Sequence, residues 1–414
     1  MNLGTQTIGP TDIDPVLKAL AAALHGEGPA VELSAGPSGK LVVGHTETPG
    51  CDDAVAVVRT SGSTGAPKAT ILTVEALAAS SMATALALKG EGQWLLALPV
   101  QYVAGVQVLV RSLFAGTRPW VMDMSGGFTP EAFTAGALEL TDKFRFTSLV
   151  PTQLQRLLDA PSPETLAVLR RFNAILLGGS PASAELLDAA RQAGVRVVAT
   201  YGSAETCGGC VYDGVPLEGV QVRVAEDGRI LLGGDTVAAG YVDAPEATDT
   251  FFEEDGVRWY RTNDLGTLDA DGRLTVLGRA DDVIITGGVK VSAAHVQEEL
   301  EKSDGVVAAF VAGVPSTEWG QAVAAFVALA AAASGAAADS GATADSGADS
   351  GADSGAAGTP TGDHAVVLKE EWHRRLGLLA PKTVLAAREL LMLPNGKPDR
   401  LAMIERLNAL HQGK

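Results

Sequence analysis

Five short segments carry residue types that could handle a nucleotide. The first is TSGSTGAPKAT, Thr60–Thr70, with glycines, hydroxyls and one lysine, Lys68. It departs from the phosphate loop G-x-x-x-x-G-K-[ST], because Pro67 precedes the lysine and Ala69 follows it. Its composition still suits an anion. Gly62 and Gly65 permit close backbone approach, and Ser61, Ser63 and Thr64 supply hydroxyl donors. The apolar run AVAVV before it and a helical pattern after it predict a strand–turn–helix whose N–H groups form an anion nest; the plainer reading is a polar loop capping a helix. The second segment, YGSAET (Tyr201–Thr206), reads as a turn at the carboxyl end of a parallel strand, where α/β sheets bind ligands. Glu205 could hold a Mg²⁺ ion, which takes one or two carboxylates plus phosphate oxygens, and Thr206 could donate to phosphate. The alternative is an acidic helix N-terminus.

The third segment is WYRTNDLG, where Asp264 following a strand could accept ribose hydroxyls; read alone it is a turn aspartate. The fourth, GRADDVIITGGVKVS, sets Arg279 and the pair Asp281-Asp282 before an apolar strand and a Gly287-Gly288 turn. The fifth, LPNGKPDR, puts Lys397 on a turn. Taken singly, the last two are ordinary charged turns.

The elements that must position these residues follow from hydrophobic patterning. Buried strands are expected at Ala54–Val58, Trp94–Leu98, Thr147–Val150, Ala174–Leu177 and Val195–Thr200, with helices at Thr73–Leu88 and Ala182–Ala193. That alternation predicts a mostly parallel sheet flanked by helices. After about residue 210 the runs Val220–Val224, Arg229–Leu232 and Leu274–Leu277, around Asp-Gly turns, predict an antiparallel subdomain. A strand is expected at Val323–Ala328, and order resumes near Ala365 with a strand-like AVVLK and a helical continuation. Between them, residues 331–363 form a degenerate DSGA repeat without aromatic or branched apolar side chains, expected to be a disordered insertion.

Bulk properties narrow the class. A chain of 414 residues with 46% hydrophobic and 19% charged residues is expected to be a soluble protein of two domains. A net charge of -18 speaks against a nucleic-acid surface. Three cysteines, Cys51, Cys207 and Cys210, give no disulfide framework. Cys207 and Cys210 form a CGGC without a second ligand pair for zinc. No run is long enough for a membrane span, and the N-terminus is not expected to be a secretory signal, so the location is expected to be cytoplasmic.

In order and spacing the five segments resemble the acyl-adenylate-forming superfamily of acyl-CoA ligases, luciferases and adenylation domains. The resemblance implies an α/β fold. A large N-terminal domain, residues 1–279, would be joined by a hinge at Asp281 to a mobile, small α+β domain, residues 280–414. It implies ATP, Mg²⁺ and CoA. Thr60 to Gly65 and Lys68 would hold the β,γ-phosphates, with Gly179, Ser180, Tyr201 and Gly202 completing the nucleotide site. Glu205 would hold Mg²⁺, Asp264 the ribose, and Arg279 ribose or phosphate. Lys397 would bridge carboxylate and α-phosphate as catalytic lysine, with Glu205 and Thr206 beside it. After rotation of the small domain, Gly287, Gly288 and Lys290 would face the CoA thiol.

Within that superfamily TSLVPTQLQRLL, LLGGSPAS and YGSAETCGGCVYDGVPL look most like the o-succinylbenzoate–CoA ligase branch of menaquinone biosynthesis. An aromatic dicarboxylate is then expected in an acyl pocket lined by Tyr102, Ser203, Cys207 and Gly208. Tyr102 stands where many relatives have histidine. Gln153, Arg145 and Arg156 are candidates for the second carboxylate, and Gln153 is preferred because a polar residue in an apolar helical stretch needs a partner. Only residues 1–59 precede the loop, so one subdomain is expected to be reduced. Two other readings stay open: a different aryl- or acyl-CoA ligase or carrier-loading adenylation domain, and a degenerate nucleotide-binding module. Presence of Lys68, Lys397, Glu205 and Asp264 together speaks against the last. A homodimer is the macromolecular partnership the resemblance allows.

Overall fold

Alternating residues along three neighbouring strands divide between two hydrophobic cores. Trp94, Leu96, Phe146, Ala174 and Leu176 pack into one, while Leu95, Leu149, Ile175 and Leu177 pack into the other. Side chains alternate across a strand, so this division means a sheet covered on both faces. The computed structural model describes residues 5–9, 11–36, 40–60, 68–242, 250–330, 362–393 and 397–412, with backbone alone for 362–367. The chain divides into two compact units, Met1–Leu277 with Pro394–Lys397, and Gly278–Leu393 with Pro398–Lys414.

In the first unit the doubly covered sheet has seven strands. Val197–Ser203, Ala174–Leu177, Arg145–Leu149, Gln93–Leu96 and Trp120–Val121 run parallel in that order. Gly208–Tyr212 and Val215–Pro216 extend it antiparallel at one edge. Helices including Val103–Phe114, Pro151–Leu158 and Ala184–Gln192 connect the strands.

A second sheet of six strands is ordered Gln6–Ile8, Leu41–His45, Val31–Ala35, Ala54–Thr60, Lys68–Thr73, Gly240–Tyr241. It corrects the reading around the glycine-rich loop. Ala54–Thr60 is parallel to Val31–Ala35 but antiparallel to Lys68–Thr73, with Thr60 opposite Lys68. The loop, residues 61–67, lies outside the described residues, and it joins two strands of a hairpin. The helix begins only at Val74, with the Thr73 hydroxyl accepting from Ala76 N. The physical reason is the run Ala69–Leu72, four buried residues including β-branched Thr70 and Ile71, which form a strand before the helix can start.

The third sheet is antiparallel: Val220–Val224, Arg229–Gly234, Val257–Leu268 and Phe251–Glu254, with Leu274–Arg279 paired beside Val257–Leu268. The Asp227-Gly228 turn is as expected, with Arg229 N donating to Asp227 Oδ1 at 3.1 Å.

The second unit holds the antiparallel pair Val306–Ser316 and Gly320–Leu329, with Thr383–Ala387 parallel to the latter. Val283–Thr286 and Val289–Ser292 make a hairpin closed by Gly287-Gly288, both at positive φ (55° and 81°), as a two-residue primed turn requires. The AVVLK stretch is a correction. It lies in the helix Gly362–Leu376, whose Leu368, Trp372 and Leu376 recur every four residues and enter one core. A short apolar run does not distinguish strand from helix, and here the four-residue spacing beyond it decides. Most of the DSGA segment, 331–361, lies outside the described residues.

Candidate functional site

The strand Val197–Ser203 changes partners partway. It is parallel to Ala174–Leu177 up to Ala199, then antiparallel to Gly208–Tyr212, with a register shift between Tyr201 and Gly202. Tyr201 and Gly202 are therefore a bulged strand and not the expected turn. Only glycine fits at 202, because a Cβ there would lie 2.1 Å from the Gly208 carbonyl oxygen. The reversal comes afterwards, in the 3₁₀ turn Ala204–Thr206 and Cys207 at φ 50°. It places Tyr201 in the strand just before a tight corner and Glu205 within it.

Each meets a partner from another strand. The Tyr201 phenol donates to Asp264 Oδ2 at 2.7 Å. Asp264 lies within the strand Val257–Leu268, not after it as expected, and its own N–H donates to Thr262 Oγ1 at 3.0 Å. Burial, and then the Asp264 charge, push the Tyr201 phenol far above its ordinary pKa, so it remains a donor. Glu205 is buried, and its Oε1 accepts from the Tyr241 phenol at 2.8 Å. Lys68 Nζ sits 5.0 Å from the centroid of the Tyr241 ring. One tyrosine thus brings together the lysine of the glycine-rich segment and the candidate metal carboxylate. Sequence reading passed over Tyr241; its signal is slight, an aromatic after glycine in GDTVAAGYV.

Other candidates belong to the first unit. Gly179, at φ 87°, follows the end of Ala174–Leu177, with half-buried Ser180 next. Lys397 groups with this unit, its Cε 3.2 Å from where a Cβ on Gly179 would sit. Thr60 ends its strand opposite Lys68. Ser61, Gly62, Ser63, Thr64 and Gly65 lie outside the described residues. Tyr102 precedes the helix Val103–Phe114 and is half-buried. The Ser203 hydroxyl is buried with no hydrogen-bond partner among the described residues.

The geometry around several other candidates bears on their expected roles. Gln153 is buried with both ends of its amide on backbone: Nε2 donates to Ala97 O at 2.9 Å, and Oε1 accepts from Val150 N at 3.1 Å. It caps a helix, which accounts for its polarity without a ligand. Arg145 donates to Leu140 O, and Arg156 is exposed. Thr206 has no exposure, and its hydroxyl donates to Gly208 O at 2.8 Å, so it fixes the turn. Cys207 is wholly buried in the core, its carbonyl accepting from Ser80 and Gln107. Gly208 is buried against Gln107. Cys207 and Gly208 are thus core residues and do not line an open pocket. Burial pushes the Cys210 thiol up to about 12, so neither buried cysteine is a thiolate near neutrality.

In the second unit Arg279 forks onto Asp281, with Nε to Oδ1 and Nη2 to Oδ2 both at 2.7 Å. The candidate nucleotide arginine and hinge aspartate are thereby paired with each other. Gly287 packs on Trp319, where a Cβ would approach within 2.7 Å, and Gly288 and Lys290 are exposed.

Among the described residues no group of three or more His, Cys, Asp or Glu could hold a metal. Glu205 offers a single carboxylate, which fits Mg²⁺ if phosphate oxygens and water complete the octahedron. No described helix is long and apolar enough to cross a membrane.

Comparison with known proteins bears on this geometry. A family profile described as AMP-binding enzyme matches residues 10–242. A Mycobacterium tuberculosis protein described as a probable 2-succinylbenzoate–CoA ligase is 45% identical over 278 residues, 67% of this chain and 71% of that one. A 2-succinylbenzoate–CoA ligase of Listeria monocytogenes is 32% identical over 288 residues, 66% of this chain and 59% of that one. Among solved structures, an o-succinylbenzoate CoA synthetase from Bacillus subtilis with its acyl-adenylate intermediate superposes with TM-score 0.66 at 26% identity, covering 84% of this chain and 69% of that one.

Proposed function

Because the chain belongs to the AMP-binding enzyme family, we propose that it is an ATP-dependent ligase joining o-succinylbenzoate to CoA. The observation that carries the nucleotide chemistry is the corner at 201–205. Tyr201 orients Asp264 at one end, and Glu205 meets Lys68 through Tyr241 at the other. Ribose and polyphosphate ends of one nucleotide call for such a division. The substrate assignment rests on the names of the relatives, which share up to 45% identity.

In this reading residues 60–65 and Lys68 hold the β,γ-phosphates, Asp264 accepts the ribose hydroxyls, and Arg279 exchanges Asp281 for ribose or phosphate. Gly179 and Ser180 border the nucleotide, and Tyr102 and Ser203 border the acyl group. Glu205 would hold Mg²⁺, which when bound neutralises phosphate charge. Lys397 places its ammonium between the attacking carboxylate and the α-phosphate, where negative charge builds. The carboxylate oxygen bonds to the α-phosphorus as the bond to pyrophosphate breaks. The CoA thiolate then bonds to the acyl carbon as AMP leaves. Residues 1–279 and 280–414 act as adenylation domain and mobile domain about Asp281. Rotation replaces Lys397 with the face bearing Gly287, Gly288 and Lys290 for the second step. The reading places the enzyme in the cytoplasm, where ATP and CoA occur, with a homodimer as its macromolecular partnership.

Pyrophosphate release across a panel of acids tests the substrate. Turnover with o-succinylbenzoate well above benzoate and fatty acids supports it; equal or lower turnover sinks it.

A further inference from the structure

Tyr241 sits in the two-residue strand Gly240–Tyr241, which pairs with Ile71 and Thr70 of the strand that Lys68 begins. The strap around it is tied on three sides. Ala239 N donates to Ile71 O at 3.1 Å and Val242 N to Ala69 O at 2.9 Å. Ala238 N donates to the Glu205 carbonyl at 2.9 Å. Arg258 Nε donates to Ala238 O at 2.8 Å, and its Nη2 to Ala239 O. The Phe251 and Tyr241 rings meet at 66° with centroids 5.1 Å apart. The ring is therefore held from backbone and side, and its 4% exposure leaves little room to turn.

We propose that Tyr241 is a positioning residue that couples Glu205 to Lys68, its phenol fixing the metal-binding carboxylate and its ring face seating the lysine. The proposal rests on the nucleotide reading above and deepens it. A carboxylate whose Oε1 already accepts the phenol has Oε2 for a single metal bond, and a fixed rotamer lowers the cost of forming that bond. The same ring attracts the Lys68 ammonium by its π face. Both contacts reach Tyr241 from elements far apart in sequence, so one residue sets the spacing between metal and phosphate grips.

The test is calorimetric titration of the full chain with a non-hydrolysable ATP analogue, with and without Mn²⁺ as the metal probe. Tyr241→Phe keeps the ring and removes the hydroxyl. It is expected to weaken Mn²⁺ binding to the nucleotide complex about tenfold, as loss of a charge-assisted hydrogen bond does, while metal-free nucleotide affinity stays within about twofold. Tyr241→Leu removes the ring as well, and metal-free affinity is expected to fall a further two- to fivefold, the lower part of the range for a cation–π contact. In a Glu205→Gln background Tyr241→Phe is expected to have no added effect on Mn²⁺. Unchanged Mn²⁺ affinity in Tyr241→Phe overturns the assignment, as does a metal-free affinity that is the same in Tyr241→Leu as in Tyr241→Phe. Melting curves of Tyr241→Phe matching the parent exclude general destabilisation. No acyl substrate enters these titrations, so a wrong acid assignment leaves their outcome standing, and their failure leaves the acid panel intact.

Discussion

Tyr201→Phe removes one oxygen from the corner proposed to hold the nucleotide and leaves the ring in place. In the parent that oxygen donates to Asp264 Oδ2 at 2.7 Å, a short bond to a charged acceptor. Such bonds contribute about 1.5–3 kcal/mol. Asp264 is half-buried, so water can replace part of the loss, and the lower figure of about 1.5 kcal/mol applies. That corresponds to about tenfold in affinity. The loss should depend on what Asp264 holds. ATP is expected to bind Tyr201→Phe about tenfold more weakly by calorimetry, whereas an analogue lacking both ribose hydroxyls, already deprived of the Asp264 contact, should lose less than twofold. Equal losses for both nucleotides would mean that Tyr201 acts through its ring or through stability. No loss for ATP would mean that Asp264 does not depend on the phenol.

Three further outcomes follow from other parts of the molecule. Lys397→Ala is expected to abolish formation of the acyl-adenylate, yet to spare thioester formation from a supplied adenylate; equal loss in both half-reactions would refute the separation of steps. Gly202→Ala forces a Cβ to 2.1 Å from the Gly208 oxygen, against a usual C···O contact of about 3.3 Å. The bulge must move by roughly 1 Å, and we expect about 2–4 kcal/mol of destabilisation in denaturant titration, with nucleotide binding lost because Glu205 follows the bulge. Cys51, its thiol pushed up to about 11 by burial and by its bond to Asp53, is about one part in a thousand thiolate at pH 8. Its alkylation rate should rise about tenfold per pH unit up to that value and speed up in Asp53→Asn; a rate flat above pH 8 would contradict the geometry.

Much of the first unit was legible because strands buried on both faces read as continuous apolar runs, as AILL at Ala174–Leu177 does with every residue buried. The strand at Lys68–Thr73 was not, because its polar neighbours and the helix directly after it blurred two elements into one. AVVLK failed for the opposite reason, since a five-residue apolar run suits either period and only Trp372 and Leu376 beyond it reveal a helix. At the site, Glu205 and Asp264 could be picked from their segments, but the contacts that orient them could not. Tyr201 and Asp264 are 63 positions apart, and Tyr241 and Glu205 are 36 apart. Gln153 and Thr206 carried the polar signal of ligands, yet their hydrogen bonds end on backbone. Pairing of that kind comes from strand order and bulge position, which local spacing does not encode.

The most direct measurement leaves CoA out. With Mg²⁺, ATP and o-succinylbenzoate, enzyme in substrate amounts should release pyrophosphate in proportion to active sites and retain o-succinylbenzoyl-AMP, detectable by mass spectrometry after quenching. Adding CoA should then convert that adduct to the thioester and free AMP. Formation of ADP and phosphate, or thioester appearing without any adenylate, would contradict the account.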